Sequence, residues 1–188
     1  MKSTRYALRL TLLATTLGVA LAAHAAVLKL DPAKSSVSAT FKQMNVPVED
    51  KFKKFTAVID YDAAKPDAAK ATVEIDTASL DLGDPEYSKE VAKKEWFNAA
   101  QFPKATFVST SIKAAGPGKL AVTGNLTIKG KTAPVAFPLS VTSSGGKQVF
   151  DGTLPIKRLT YNIGEGQWKA TDMVADEVLI KFHVVAGQ

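Results

Sequence analysis

Alternation of apolar and polar residues constrains the fold of this chain more than any other feature. The clearest example is the segment 135–141, whose apolar members are Val135, Phe137, Leu139 and Val141. Similar alternation occurs at residues 36–42, 55–62, 72–76, 120–128 and 178–185. Because successive side chains of a β-strand point to opposite faces, each segment predicts a strand with one buried face. Many short strands separated by turn residues are typical of a β-sandwich or a β-barrel.

The stretch 84–100 interrupts this alternation. Asp84 followed by Pro85 is typical of a helix start, an N-cap and then a proline at the first helical position. Apolar residues then recur at helical spacing as far as Ala100, and Pro103 ends the run. The pattern predicts a helix of about 12–15 residues, which suits a barrel that needs a cover. The expected fold class is therefore all-β, an antiparallel barrel of about eight strands with one short helical insertion.

Residues 1–25 have the pattern of a secretory signal peptide. Basic residues precede an apolar run over residues 10–23, which ends at the small-x-small sequence Ala23-His24-Ala25. This run is shorter than the roughly 20 residues that span a bilayer as a helix. We therefore expect cleavage before Ala26, a single domain over residues 26–188, a periplasmic or secreted location, and no stable membrane anchor.

The charge of the remaining chain argues against nucleic acid as a partner. Three of the 24 basic residues lie in the signal-like segment, which leaves 21 against 18 acidic residues. Arg158 is the one arginine after residue 25, and the other basic residues are lysines. Proteins that read DNA sequence rely heavily on arginine, because its fork pairs with the edge of guanine. Dispersed lysines and acids instead indicate a solvated exterior.

Histidine and cysteine are too scarce for most catalytic or metal sites. The chain has no cysteine, and after residue 25 it has one histidine, His183. By strand parity His183 shares a face with Lys181, so we expect it to point to solvent. These counts argue against a catalytic triad, a thiolate nucleophile and His/Cys metal sites, and no cofactor is expected. A hydrolase that uses two carboxylates is a weaker alternative, since any Asp and Glu could converge in the fold.

Large apolar side chains are numerous for a chain of this length. One interpretation is an ordinary packed core, in a structural or interaction protein that has a filled barrel. The other is a barrel whose interior holds one ligand, since about eight strands leave room for either arrangement. Periodicity does not distinguish the two.

Four segments, in order along the chain, resemble the YceI family. Residues 124–135 resemble its signature G-x-L-T-I-x-G-x-T-x-P-V, and residues 96–107 resemble its FF-(D/N)-x-x-x-(F/Y)-P-x-x-x-F segment. Residues 158–163 are similar to its R-x-x-F-G-I element, and residues 176–178 to the D-E-V that opens its last strand. The resemblance covers residues 28–186.

This resemblance implies a secreted, lipocalin-like antiparallel barrel, closed at one end, that holds an isoprenoid chain such as that of a quinone. The family resemblance is the one feature that suggests a homodimer. The chain departs from the family at its start, where Leu28 replaces a tryptophan and Lys34 and Gln43 replace histidines. Asn162 replaces the glycine of the R-x-x-F-G-I element, and asparagine tolerates the left-handed conformation that such a glycine adopts.

The apolar face of the strands supplies the predicted binding site for the tail of a lipid. Its members are Phe41, Phe55, Ile59, Ile75, Leu126, Ile128, Phe137, Leu139, Ile156 and Phe182. Trp96, Phe97 and Phe107 are expected to line the mouth or its cover. Arg158 and Tyr161 are candidates to meet a polar head group. The alternative for Arg158 is an ion pair at a strand end on the surface.

Three prolines lie inside segments that otherwise read as strands: Pro134, Pro138 and Pro155. Proline has no backbone N–H to donate to a neighbouring strand, so within a sheet it is confined to edges, first residues and bulges. These positions therefore predict strand edges or bulges. Such edges would face either solvent or a second subunit.

Overall fold

A computed structural model describes residues 26–187 as a β-rich fold with one α-helix. The helix α1 spans Pro85–Val91. The strands are β1 (Ala26–Leu30), β2 (Ser36–Gln43), β3 (Val46–Phe52), β4 (Phe55–Tyr61), β5 (Lys70–Asp76), β6 (Leu80–Asp81), β7 (Lys104–Ala114), β8 (Lys119–Ile128), β9 (Lys131–Ser144), β10 (Lys147–Lys157) and β11 (Val174–Gly187). The predicted signal peptide, residues 1–25, lies outside the described residues.

Eight of the strands close into an antiparallel barrel. Their order is β1-β4-β5-β7-β8-β9-β10-β11, and β11 pairs back onto β1 with Leu30 opposite Ala186. The alternation predicted for β8 is regular, with Leu120, Val122 and Leu126 buried and their neighbours facing water. The predicted fold class, an all-β barrel of about eight strands with one helix, is confirmed.

Strands β1 and β2 lie one after the other along β11, with a break at residues 31–35. In this break Ser35 replaces the missing ladder bonds: its Oγ donates to the Asp31 carbonyl at 2.7 Å and accepts from the Val185 N–H at 2.9 Å. Beyond the break, β2 pairs with β3, and β3 with β6. The three strands β2, β3 and β6 therefore extend the barrel wall at one end.

The helical insertion is shorter than the sequence predicts. Its start is confirmed, because the Asp84 carboxylate accepts a hydrogen bond from the Glu86 N–H at 2.7 Å. Its predicted end at Ala100 is wrong, since α1 ends at Val91 and a series of turns follows. Here the Phe97 N–H bonds to the Val91 carbonyl, and Asn98 is left-handed. These turns pack the partly buried rings of Trp96 and Phe97 against the barrel end, and this tertiary packing outweighs local helix propensity.

The three prolines of the strand segments lie along one interrupted ladder. Strands β9 and β10 pair from Ser144 opposite Lys147 as far as Leu139 opposite Gly152, and no further. Beyond that point, within the described residues, β9 pairs with β8 alone and β10 with β11 alone. We call this gap, between residues 131–138 of β9 and residues 153–157 of β10, the β9–β10 seam. The prediction that these prolines mark strand edges is confirmed.

Candidate functional site

An apolar cavity of about 190 Å³ lies inside the barrel. Strands β2–β5 and β7–β11 contribute to its wall, and Phe97 and Ile163 border it from the connecting segments. All the residues that line it are apolar, except Tyr61 and Arg158. A cavity of about 150 Å³ with such a lining stays dry and accepts a benzene-sized molecule. The cavity is therefore a compartment for hydrocarbon.

Three phenylalanine rings cross the middle of the barrel, and we call them the aromatic belt. The Phe137 ring lies between the other two, with its centroid 5.6 Å from that of Phe107 and 5.4 Å from that of Phe182. All three pack against the core cluster around Leu120 and also against the cluster around Leu154. The belt therefore sets the width of the cavity between its two halves.

Most of the residues predicted for the tail, the mouth and the head group of a ligand border this cavity. Those that do are Ile59, Ile75, Phe97, Phe107, Leu126, Ile128, Phe137, Leu139, Ile156, Arg158 and Phe182. Phe41, Phe55, Trp96 and Tyr161 do not line it. Phe55 borders a surface depression between β3 and β4, and Tyr161 is packed among Leu154 and its neighbours. Contact of any of these residues with a ligand stays a prediction.

Other residues that line the cavity were not among the predicted site residues. Val37 and Ala39 share the inward face of β2, and Val178 and Ile180 share that of β11, so strand parity alone would have found them. Phe52 gave a weaker signal, because its strand β3 has the mostly polar or proline-interrupted sequence VPVEDKF.

The Arg158 side chain is buried, with 2% of its surface exposed. Its guanidinium donates to six backbone carbonyls, those of Ile163, Gly164, Trp168, Ala170, Val174 and Ala175, at 2.8–3.2 Å. The alternative interpretation, an ion pair at a strand end on the surface, is therefore wrong. A guanidinium has five N–H donors, and all of them point to these carbonyls. Arg158 organises the segment between β10 and β11, which leaves no donor for a head group.

The surroundings of Arg158 are apolar or neutral, apart from the carboxylate of Asp176. The centroid of the Trp96 ring lies 5.8 Å from its Cζ, and Trp96 packs against Trp168 with ring centroids 5.4 Å apart. Burial lowers the pKa of the guanidinium from its usual range, and the charge of Asp176 opposes this shift. Asn162 adopts the left-handed conformation predicted for it, with a φ of 56°. The segment 158–170 therefore closes one end of the barrel as a fixed cover.

Rings also fill the opposite end of the barrel, where β4 turns toward β5. The rings of Tyr61 and Phe150 meet edge to face with centroids 5.4 Å apart. Burial raises the pKa of the Tyr61 hydroxyl. Ala69, which follows the turn, is buried against the same cluster.

Two polar groups on the strands have no role in the cavity. His183 faces water as predicted, and its Nδ1 lies 2.6 Å from Oδ1 of Asp151. Asp50 of β3 is buried, with 8% exposed, and its Oδ2 has no hydrogen-bond partner among the described residues. Burial, and secondarily the charge of Asp81, raise the pKa of the Asp50 carboxyl.

Residues 26–187 contain no group of His, Cys, Asp and Glu side chains placed to hold a metal ion. In the same part of the chain, no helix is both long and apolar enough to cross a bilayer.

A closed barrel around an apolar cavity defines the class of small β-barrel proteins with an interior pocket. The chain belongs to the YceI family, whose model, the YceI-like domain, matches residues 28–186. The UPF0312 protein of Shewanella baltica is 35% identical over 137 residues, which are 71% of this chain and 72% of that protein.

Solved structures agree with this assignment. The crystal structure of Burkholderia cenocepacia BcnA is 55% identical and has a TM-score of 0.82, covering 84% of this chain and 99% of BcnA. A polyisoprenoid binding domain from Saccharophagus degradans, implicated in plant cell wall breakdown, has a TM-score of 0.68. That match covers 87% of this chain and 99% of the domain, and at 18% identity it shows a shared fold.

Proposed function

We propose that this protein is a carrier or buffer that holds an isoprenoid lipid or a quinone-like amphiphile in its barrel and does not react with it. The observation that carries this proposal is the cavity along the barrel interior, whose wall is apolar apart from Tyr61 and Arg158. Each CH₂ group that moves from water into such a lining stabilises the complex by about 0.8 kcal/mol. A branched hydrocarbon chain therefore gains affinity with every unit that enters.

The width of the cavity makes the aromatic belt part of the binding step. A volume of about 190 Å³ is close to that of cavities that accept one benzene-sized group. A longer prenyl chain needs more room, so the rings of Phe107, Phe137 and Phe182 rotate aside as the chain enters. All three keep some exposure, unlike the fully packed Tyr161, which has room for no such motion.

The ligand class is also supported by the shared fold of the Saccharophagus degradans domain, which is a polyisoprenoid binding domain. The signal-like pattern of residues 1–25 supports a periplasmic or secreted location, where a chain insoluble in water needs a carrier. A homodimer stays a prediction, and the molecular mass in solution tests it.

Solvent extraction tests the proposal. The protein is purified from its native host, extracted with chloroform and methanol, and the extract is weighed by mass spectrometry. We expect a prenyl lipid at about one molecule per chain. The variant Val122→Trp should yield much less, because its larger side chain occupies part of the cavity. If native protein yields no prenyl lipid and also takes up no added quinone, the proposal fails and a filled barrel without a ligand is the better account.

A further inference from the structure

The β9–β10 seam is the feature that the proposed function leaves unexplained. The paired part of these strands has Leu139 opposite Gly152. Continued in the same register, the ladder would place Pro138 opposite Thr153, Ala136 opposite Pro155 and Pro134 opposite Lys157. Hydrogen-bonded and non-hydrogen-bonded pairs alternate along an antiparallel ladder. Because these three pairs are two residues apart, they are all of the same kind.

The prolines remove one donor from each of these pairs. The β8–β9 register continues without interruption past Pro134 and Pro138, and the β10–β11 register continues past Pro155. Proline is tolerated in such a ladder where its nitrogen points away from the strand that bonds to it. The three nitrogens therefore point into the seam, and the two strands cannot close it by regular hydrogen bonding.

Both faces of the seam are largely apolar. On the inner side, Phe137, Leu154 and Ile156 line the cavity. On the outer side, Pro134, Ala136, Pro138, Thr153 and Pro155 are exposed and uncharged, and the exposed lysines Lys131 and Lys157 lie at the far end of the seam. A surface depression adjoins the seam at Pro138 and Thr153, and its rim carries the charged residues Glu49, Lys119, Asp151 and Lys181. Ala136 and Pro155 do not border this depression, so a hydrocarbon chain that crosses the wall between them would meet uncharged side chains.

Other routes into the cavity are less favourable for such a chain. One end is covered by the segment that Arg158 holds through six carbonyls, and the other by the Tyr61 and Phe150 rings. The depression between β3 and β4 also reaches cavity residues, at Phe52 and Ile75. Its rim, however, carries the charged residues Lys51, Lys53, Lys54, Glu74, Asp76 and Lys104.

We propose that the β9–β10 seam is a side opening through which the isoprenoid chain passes between the barrel cavity and a lipid bilayer. Separating the strands here breaks no backbone hydrogen bond of the β9–β10 ladder. The chain enters sideways, between Phe137 and Ile156, while both covered ends stay in place. This inference rests on the proposed function, and it assigns the route rather than the ligand.

Restoring the missing donors tests the route. In the triple variant Pro134→Thr, Pro138→Thr and Pro155→Thr, the strands regain an N–H at each position that lacks one. The control is Pro47→Thr, an exposed proline in the β2–β3 ladder. The probe is tritiated geranylgeraniol, a prenyl alcohol of four units, which is loaded onto the protein and then released into phosphatidylcholine vesicles.

We expect the triple variant to release the probe at least about tenfold more slowly, since each restored hydrogen bond must break before the strands part. Its equilibrium affinity should stay within about twofold of the parent's, and the Ala136 and Thr153 amides should gain protection from hydrogen exchange. The control should match the parent. If the amides of the triple variant gain protection but its release rate equals the parent's, the proposed route is wrong. If neither the protection nor the release rate changes, the prolines do not keep the seam open.

A second variant covers the case in which the triple variant does not fold. The parent chain has no cysteine, so Ala136→Cys with Pro155→Cys can be joined selectively by a short bifunctional thiol reagent. Joining should slow release relative to the unjoined pair, and equal rates would contradict the route. If the parent protein binds no geranylgeraniol at all, the proposed function itself fails. If it binds the probe but the release rate does not respond to changes at the seam, only the proposed route fails.

Discussion

The Phe182 ring lies directly over the backbone of Gly152, and a Cβ placed on that glycine would come within 2.3 Å of Cζ of the ring. Gly124 has the same relationship to Phe107, with a distance of 2.4 Å to Cε2. Two rings of the aromatic belt thus occupy the space that a side chain would fill on the neighbouring strand. The glycines therefore keep the outer two rings close to the barrel wall and the cavity open.

Gly152→Ala should close part of the cavity. The added methyl group displaces the Phe182 ring, whose free side is the cavity, at a stability cost of about 1–3 kcal/mol for overpacking. We expect affinity for geranylgeraniol to fall about tenfold in a fluorescence competition titration, whereas Thr153→Ala, next to it and exposed, should leave affinity unchanged. Equal affinity of Gly152→Ala and the parent protein would show that the belt does not limit binding.

Phe137→Ala should enlarge the cavity and so leave more room for a ligand. Removing the central ring of the belt costs about 3–5 kcal/mol of stability, because a buried aromatic side chain is lost and a cavity remains. A prenyl chain can fill that space, so the added ligand should raise the melting temperature of the variant more than that of the parent. Tyr87→Ala, at an exposed ring, is the control. A ligand-induced shift no larger than the parent's would contradict this prediction.

Arg158→Lys should unfold the segment between β10 and β11 although it keeps the charge. A lysine ammonium is a compact group with three donors and cannot reach six carbonyls spread over residues 163–175. We expect a loss of at least about 3 kcal/mol in the free energy of unfolding, measured by urea denaturation, since buried acceptors lose their partners.

Gly164→Ala should also destabilise the segment between β10 and β11, because the added methyl group has no room beside Arg158. Gly164 has a φ of +78°, and a Cβ there would lie 2.1 Å from Nη1 of Arg158. Lys157→Met, at the exposed neighbour of Arg158, should cost little and serves as the control for both variants. If Arg158→Lys were as stable as Lys157→Met, the account of this segment would be wrong.

The pH dependence of stability should carry a contribution from Asp50. Burial raises the pKa of this carboxyl above its ordinary value of 3.8, so the folded protein binds its proton more tightly than the unfolded chain does. Stability is therefore lost as the pH rises from about 4 through the raised pKa.

Asp50→Asn removes the ionisation and should be more stable than the parent protein at neutral pH. The difference between the two should shrink toward pH 3, where the parent carboxyl is protonated in both states. Unfolding curves in urea at several pH values measure it. A difference that is independent of pH would show that Asp50 does not titrate as its burial implies.

The fold and much of the cavity lining follow from local pattern. A period of two assigns a face to every residue of a strand, so naming Leu126 and Phe137 required no tertiary information. The prolines likewise predicted the edges of β9 and β10, because a missing N–H is a property of the residue itself.

The remaining features depend on contacts between distant segments. Arg158 is surrounded by carbonyls from residues 163–175, and no periodicity in the sequence signals that this loop folds back over it. Trp96 and Phe97 end the helix early because they pack against parts of the barrel that come from elsewhere in the chain. Residues at the ends of strands, such as Phe41 and Phe55, have the right parity but lie beyond the cavity, since parity gives the face of a residue and not its depth.

A crystal structure of the protein loaded with a prenyl quinone would show whether the barrel interior holds the prenyl tail. We expect continuous tail density inside the barrel, with the rings of Phe107, Phe137 and Phe182 rotated away from their positions in the empty protein. A structure of the loaded protein in which the belt is unchanged and the quinone lies outside the barrel would contradict this expectation.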